Sequence, residues 1–250
     1  MNAPTVIKWY HDHARCAAAS AHYIWLAALE TGILLPRLLR ADRHMLIFER
    51  VPGRAGLPGD LPRLGSIIGQ LDAAAYRRHL YAASLREPHR TSAGPPLADF
   101  LSPRRGKLLA LAASAGLQTE QVATVLDMLA DQPAALYKDA NPRNFVLTAD
   151  RVTIVDFDDL TLAPFGYDLA KLVVTTAMTH GKLATRTIQA SVDAYNVQVQ
   201  PNRCDSESFR IVAEIHHLLT SPYLGRHGYR HPWPTVRPWP EPAAFNRQRA

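Results

Sequence analysis

The spacing of hydrophobic and polar positions predicts strands and one helix in the first fifth of the chain. The runs Thr5–Tyr10 and Met45–Val51 are rich in β-branched, aromatic and long apolar residues, as is typical of strands. Between them, Ala14–Glu30 is rich in alanine and places Tyr23 and Leu26 on one side of a helix. We therefore expect a small piece in which strands flank a helix.

After a Pro-Gly pair at positions 52–53 the pattern becomes mainly helical. Two short β runs, Phe145–Leu147 and Val152–Phe157, interrupt it and predict a hairpin. We therefore expect an α+β protein, with a reduced N-terminal lobe of residues 1–52 and a helical C-terminal lobe of residues 53–250. The other predicted helices are Leu64–Leu85, one with Thr119 as its N-cap, one with Asp168 as its N-cap, Leu183–Asn196 and Ser206–Leu219.

Composition excludes several classes of protein. The chain has 250 residues, of which 47% are hydrophobic and 20% are charged, so a disordered or fibrous chain is excluded. Two cysteines are too few for a disulfide scaffold or a four-cysteine zinc site. No apolar run approaches the roughly 18–20 residues of a membrane span. The first residues also carry charge where a signal peptide would be apolar, so we expect a cytoplasmic protein.

Positive charge is concentrated at the end of the chain. The net charge is +6, and residues 221–250 contribute +4 of it, from five arginines and one glutamate. This segment also contains Trp233 and Trp239, between prolines. It has two interpretations: a solvated tail, or a surface that meets an anion such as a phosphate group or nucleic acid.

Three polar residues have the spacing that phosphoryl transfer requires. Asp139 and Asn144 are five positions apart, and Asp156 follows twelve positions later at the end of an apolar run. Phosphoryl transfer needs one carboxylate that orients a hydroxyl and accepts its proton. It also needs an amide oxygen and a second carboxylate, which are hard ligands suited to Mg²⁺. The two ends of the predicted hairpin would present these ligands to one point.

The same segment resembles a known family. Residues 137–144 read Y-K-D-A-N-P-R-N, residues 155–158 read V-D-F-D, and residues 165–170 read F-G-Y-D-L-A. These elements are similar to the catalytic motifs H-G-D-x-x-x-x-N, I-D-[FW]-[DE] and G-x-P-x-x-D-L-A of the aminoglycoside phosphotransferase/choline kinase family. The resemblance implies a two-lobed protein-kinase-like fold and an ATP- or GTP-dependent kinase.

The resemblance also implies a role for each acid of this segment. Asp139 matches the catalytic base, and Asn144 and Asp156 match the Mg²⁺ ligands. Asp158 matches a second acid that either assists with the metal or is structural. Asp168 matches a buried acid that braces the catalytic loop.

The nucleotide-binding residues that the resemblance implies lie mostly in the first part of the chain. Lys8 matches a strand lysine that contacts nucleotide phosphates, although an exposed lysine at a strand end is the alternative. Backbone groups from Glu49 to Val51 match the segment that binds adenine. Lys138 and Arg143, which flank the catalytic residues, are either surface charges or contacts to the transferred phosphoryl group.

The sequence departs from the family pattern in three places. No glycine-rich, phosphate-covering loop stands before Lys8. The helix that follows has no acid between Asp12 and Glu30, so the glutamate that usually pairs with the lysine is replaced by Ala19 or a neighbour. Tyr137 and Lys138 stand where the family has His-Gly, and Lys138 would favour the ionised form of Asp139 if the two charges approach.

The expected function is that of a small-molecule O-phosphotransferase that uses ATP or GTP with Mg²⁺. A basic chain disfavours a polycationic acceptor, so we expect a neutral or anionic one such as a sugar, nucleoside, antibiotic or metabolite. We also expect the segment Tyr223–Trp239 to fold back near Asp139 and help bind the acceptor. The alternatives are a pseudokinase that binds nucleotide or another ligand without transfer, and a nucleic-acid binder that uses the basic tail.

Overall fold

The computed structural model describes residues 4–91, 96–242 and 245. At the start of the chain, β1 (Thr5–Trp9) and β2 (Leu38–Asp42) pair antiparallel with the two edges of β3 (Met45–Glu49). One helix, α1 (His13–Ala28), packs against this sheet. Its N-terminus is capped by the Asp12 carboxylate, which accepts a hydrogen bond from a backbone N–H of the first turn.

A separate small core joins α1 to the sheet. Cys16 and Ala19 of the helix are buried against Leu46 and Phe48 of β3, whose side chains point to the same face of the sheet. The Ala-rich helix therefore approaches the strands closely on this side. The opposite face of the sheet remains open, and Trp9 is 72% exposed there.

The rest of the chain is built mainly of helices around one large core. Helix α2 continues into a short π-helical turn, Tyr76–Leu80, and α6 packs along α2. Close packing requires Gly65 and Gly69 of α2, because an added Cβ would collide with the α6 backbone. The helices are α2 (Leu61–Ala75), α3 (Arg105–Ser114), α4 (Thr119–Ala130), α5 (Tyr167–His180), α6 (Thr185–Gln198), α7 (Ser206–Thr220) and α8 (Trp233–Val236).

Short strands connect these helices to the polar segment singled out above. The hairpin of β6 (Phe145–Leu147) and β7 (Val152–Ile154) extends into a three-stranded sheet with β4 (Arg54–Ala55). A second antiparallel pair consists of β5 (Ala134–Tyr137) and β8 (Thr161–Pro164). The loop between β5 and β6 contains Asp139 and Asn144, and the loop between β7 and β8 contains Asp156 and Asp158.

The strands Thr5–Tyr10 and Met45–Val51, the hairpin and the long helices are confirmed to within a few residues. Helix α3 and the short strands β2, β4, β5 and β8 were not predicted. The strands β4, β5 and β8 pair with segments distant in sequence, whereas β2 pairs with the neighbouring β3. Two predicted caps were wrong: Thr119 and Asp168 lie inside the first turns of α4 and α5, so neither precedes its helix as a cap. Within the described residues, no helix has the length and apolar character needed to cross a bilayer.

Candidate active site

Two clefts meet at the predicted catalytic segment. The interlobe cleft, between the N-terminal sheet and the β6–β7 hairpin, has a volume of about 470 Å³. The helical cleft, between the catalytic loop, α3 and α7, has a volume of about 520 Å³ and is lined by Asp139. Arg143 lines both clefts. The interlobe cleft is also lined by the predicted residues Lys8, Glu49, Val51, Asn144, Asp156 and Asp158.

Strand ends bring the three key polar residues together. Asn144 precedes β6 and donates a hydrogen bond of 2.9 Å from its side-chain amide to the backbone oxygen of Asp139. Its own backbone oxygen accepts a hydrogen bond of 2.9 Å from Val155, just before Asp156. Asp139 and Asp156 both have φ of 69°, a left-handed conformation that non-glycine residues rarely adopt. Such strain is typical of functional sites.

The buried carboxylate of Asp168 is hydrogen-bonded to the backbone of the catalytic loop. It accepts hydrogen bonds from the backbone N–H groups of Lys138, at 3.1 Å, and Ala140, at 2.9 Å, which flank Asp139. Burial raises the pKa of Asp168, although the Lys138 charge and these hydrogen bonds oppose the shift. The bracing role that the resemblance implied for Asp168 therefore agrees with its position.

Lys8 pairs with two acids of the β7–β8 loop. Its ammonium group donates hydrogen bonds to Asp156, at 2.5 Å, and to Asp158, at 2.7 Å. Tyr10 also donates to Asp158, at 3.0 Å. Burial alone would lower the pKa of Lys8, but the two carboxylates outweigh it and raise the pKa. Lys8 is therefore not an isolated lysine at a strand end, because two aspartates supply the negative charge that the helix lacks.

Helix α1 reaches the same loop without an acid. Ala19, the position expected to replace the family glutamate, lines the interlobe cleft. One turn later, the His22 ring lies 3.2 Å from the backbone oxygen of Asp158. Burial lowers the pKa of His22, so the ring is neutral near pH 7.

The structure corrects both interpretations of Lys138. It lines neither cleft and is only 1% exposed, because the alternation along the chain after β5 turns it inward while Tyr137 faces the helical cleft. Its ammonium group has no hydrogen-bond partner among the described residues and lies 4.8 Å from the centre of the Phe145 ring. Burial lowers the pKa of Lys138 to about 8.

Sequence reasoning missed Lys171, which pairs with the candidate base. Lys171 lies on α5 three residues after Asp168, so both side chains point toward the catalytic loop. Its ammonium group forms an ion pair with Asp139 and donates a hydrogen bond of 2.8 Å to the hydroxyl of Tyr137. Burial and the charges of Lys138 and Arg104 lower the pKa of Lys171 to about 7. The i+3 spacing from Asp168 was the only signal in the sequence.

The segment after α7 folds back toward Asp139, as expected. Tyr223, His227 and Tyr229 line the helical cleft together with Asp139. The Tyr229 hydroxyl accepts a hydrogen bond of 2.9 Å from the side chain of Asn141, in the catalytic loop. The first half of the segment therefore forms one wall of the cleft.

The second half of this segment serves as its anchor, and its tryptophans do not face the cleft. The buried carboxylate of Glu214 accepts hydrogen bonds from the indoles of Trp233, at 3.0 Å, and Trp239, at 3.3 Å, and from Arg237, at 3.0 Å. The two tryptophans therefore do not take the acceptor-binding part expected of this segment, because their indoles satisfy a buried charge. Part of the basic tail, Arg247 and Arg249, lies outside the described residues.

The donors in the interlobe cleft fit Mg²⁺ held jointly with a nucleotide. Within the described ranges, no group of three or more His, Cys, Asp or Glu residues is arranged to hold a metal alone. Asp156 and Asp158 instead offer carboxylates beside the amide of Asn144. Mg²⁺ commonly takes one or two carboxylates and completes its shell with water and phosphate oxygens, so this incomplete donor set suits it.

The fold resembles several solved kinases and phosphotransferases. The macrolide 2'-phosphotransferase MphH from Brachybacterium faecium superposes with a TM-score of 0.57 at 15% identity, over 95% of this chain and 86% of that chain. A putative fructosamine-3-kinase from Thermobifida fusca gives a TM-score of 0.58 at 22% identity, over 94% and 85%. Amicoumacin kinase hAmiN, solved with AMP-PNP, Ca²⁺ and Ami, gives 0.61 at 13% identity, over 86% and 72%.

These likenesses show that the α+β, two-lobed architecture is kinase-like. No curated protein matches the chain at a significant level. The sequence model of the phosphotransferase enzyme family matches residues 3–199, which include all three motifs described above and end before α7. The chain therefore belongs to the phosphotransferase enzyme family.

Proposed function

We propose that this protein transfers the γ-phosphoryl group of ATP or GTP to a hydroxyl of a small molecule in a Mg²⁺-dependent reaction. The observation that carries the proposal is the contact between Asn144 and the backbone of Asp139. It joins a metal-ligand set in one cleft to a carboxylate in the other. The phosphoryl group would cross between the clefts at this point, where Arg143 borders both.

The nucleotide belongs in the interlobe cleft. The backbone from Glu49 to Val51 would bind the base, and Lys8 would contact the phosphates. Asn144, Asp156 and Asp158 would hold Mg²⁺, which neutralises phosphate charge when bound. Apolar side chains that line the same cleft, including Phe48, would cover the flat face of the base.

The acceptor belongs in the helical cleft. Asp139 would orient the acceptor hydroxyl and take its proton, and Lys171 would keep the carboxylate ionised until the hydroxyl binds. Arg143 offers a guanidinium to the phosphoryl oxygens at the junction, where a fixed positive charge stabilises transfer. A neutral or anionic sugar, nucleoside, antibiotic or metabolite is the expected acceptor.

Two measurements test the proposal. Binding of ATP and GTP analogues is measured with Mg²⁺ and with EDTA in the wild type, Asp156→Ala and the exposed control Asp193→Ala. We expect Asp156→Ala to weaken binding only with Mg²⁺, and equal weakening in EDTA would contradict the metal assignment. Transfer of labelled phosphate to a library of hydroxyl compounds is then measured. Asp139→Asn should lower this transfer by roughly 10²–10⁴-fold.

Nucleotide binding without transfer to any compound, or to water, would favour the alternative of a ligand-binding pseudokinase.

A further inference from the structure

Both acidic side chains that line the helical cleft are already paired with cations. Asp139 forms its ion pair with Lys171. Asp159, at the other side of the opening, pairs with Arg15 of α1 at 3.1 Å. A polycationic acceptor would have to displace one of these lysine or arginine partners. The cleft therefore offers no unpaired carboxylate to a positively charged ligand.

Three cations of the same cleft have no carboxylate partner among the described residues. They are Arg104, Lys107 and Arg143. Arg104 is buried and donates hydrogen bonds only to uncharged oxygens, those of the Phe100 backbone, at 3.0 Å, and of the Thr161 side chain, at 2.6 Å. Its buried guanidinium therefore supplies a fixed positive charge in the lining of the cleft.

Lys107 and Arg143 stand at the rim of the cleft, where a ligand can reach them. Both residues are exposed. Lys107 lies 5.7 Å from the centre of the Tyr223 ring, a distance that holds an ammonium group over an aromatic face. His216 lines the same cleft. Its pKa is held well below the usual value, first by burial and then by the charges of Lys171 and Arg104. The buried charge of Arg104 therefore acts beside the two exposed cations of the rim.

We propose that the acceptor carries an anionic group, a carboxylate or a phosphate, which Lys107 binds within the positive charge of Arg104 while its hydroxyl faces Asp139. This inference rests on the proposed function and narrows the acceptor class of the same cleft. A volume of about 520 Å³ suits a ligand of sugar or nucleoside size. The tyrosine rings at positions 137, 223 and 229 provide flat walls for its uncharged part.

The test uses matched compounds that differ only in charge. The first set is glucose, glucuronate, glucose 6-phosphate and glucosamine, and the second is ribose and ribose 5-phosphate. Dissociation constants are measured in the presence of ADP and Mg²⁺, which occupy the nucleotide site. The same compounds are then offered as acceptors of labelled phosphate from ATP and from GTP. The variants are Lys107→Ala and, as a matched control, the exposed Lys182→Ala, which lines neither cleft.

We expect the anionic members to bind about tenfold more tightly than their neutral parents, and the amine to bind most weakly, because the exposed Lys107 acts together with the buried charge of Arg104. The preference should weaken at high salt. Lys107→Ala should reduce the ratio between anionic and neutral members by about two- to fivefold, whereas Lys182→Ala should leave it unchanged. Glucuronate and glucose 6-phosphate separate carboxylate from phosphate recognition.

Binding of the amine as tight as that of the acids, or a ratio that is equal in the two lysine variants, would overturn the inference. Failure of the proposed function has a different signature. In that case the anionic preference and its dependence on Lys107 appear in the binding data, but no compound and no water molecule receives phosphate from either nucleotide.

Discussion

Replacing Asp168 by alanine should loosen the catalytic loop and cost a measurable part of the stability. The carboxylate is 2% exposed and pairs with two backbone N–H groups that flank Asp139. Each buried donor left without a partner costs about 1–3 kcal/mol, which gives about 2–6 kcal/mol for the two. The substitution also removes the free-energy cost of burying the carboxylate, which offsets part of this loss. We therefore expect a loss of about 3 kcal/mol in the free energy of unfolding.

The assay is urea unfolding followed by the fluorescence of the buried Trp25 and Trp233, with hydrogen exchange measured at the amides of Lys138 and Ala140. Asp193→Ala is the control, because Asp193 is an exposed acid of α6 and its loss should change stability by less than about 0.5 kcal/mol. Exchange at the two loop amides should accelerate only in Asp168→Ala. A loss of stability equal to that of the control, with both amides still protected, would refute the bracing role.

Three further predictions concern one lysine of each cleft and the buried glutamate that anchors the segment after α7. Lys171→Met should lower the rate of transfer by at least tenfold and change the pH dependence of kcat, whereas Lys182→Met should change neither. An unaltered pH profile in Lys171→Met would contradict a role for the Lys171 charge beside Asp139. Lys8→Ala should raise the KM for nucleotide, because it removes the proposed phosphate contact; an unchanged KM and kcat would mean that the lysine only pairs with acids. Glu214→Ala should lower the free energy of unfolding by about 2–4 kcal/mol, since two indoles lose their acceptor and Arg237 keeps only Glu241, at 3.4 Å. In urea titrations, a loss below about 1 kcal/mol would contradict this.

Much of the fold was predictable because its long elements carry their own periodicity. The helices α5 and α7 and the hairpin β6–β7 follow from local patterns alone. The short strands do not, because a segment such as β4 (Arg54–Ala55) becomes a strand only by pairing with β6, more than ninety residues away in the chain. Helix α3 was missed because its apolar residues do not fall on one face.

In the candidate site, too, residues set by local spacing were predictable and residues set by tertiary contacts were not. Motif spacing placed Asp139, Asn144 and Asp156 together, because the loop and the hairpin between them are local. The partners Lys171 and Lys8 depend on tertiary contacts, and so does the burial of Lys138. No local pattern distinguishes a lysine that points into a core from one at the surface.

The anchoring of the segment after α7 has a consequence for how the protein is made. Synthesis runs from the N-terminus, and early parts of a chain can begin to fold before later parts exist. The contact between Asn141 and Tyr229 spans 88 positions, and the indole of Trp239 joins Glu214 later still in the chain. No residue that lines the interlobe cleft, where we propose that nucleotide binds, lies beyond Asp158. The ribosome therefore releases these residues well before the segment after α7. If the proposed nucleotide site is correct, a nascent chain should acquire nucleotide affinity first. Premature termination after α6 would leave a chain that lacks one wall of the helical cleft.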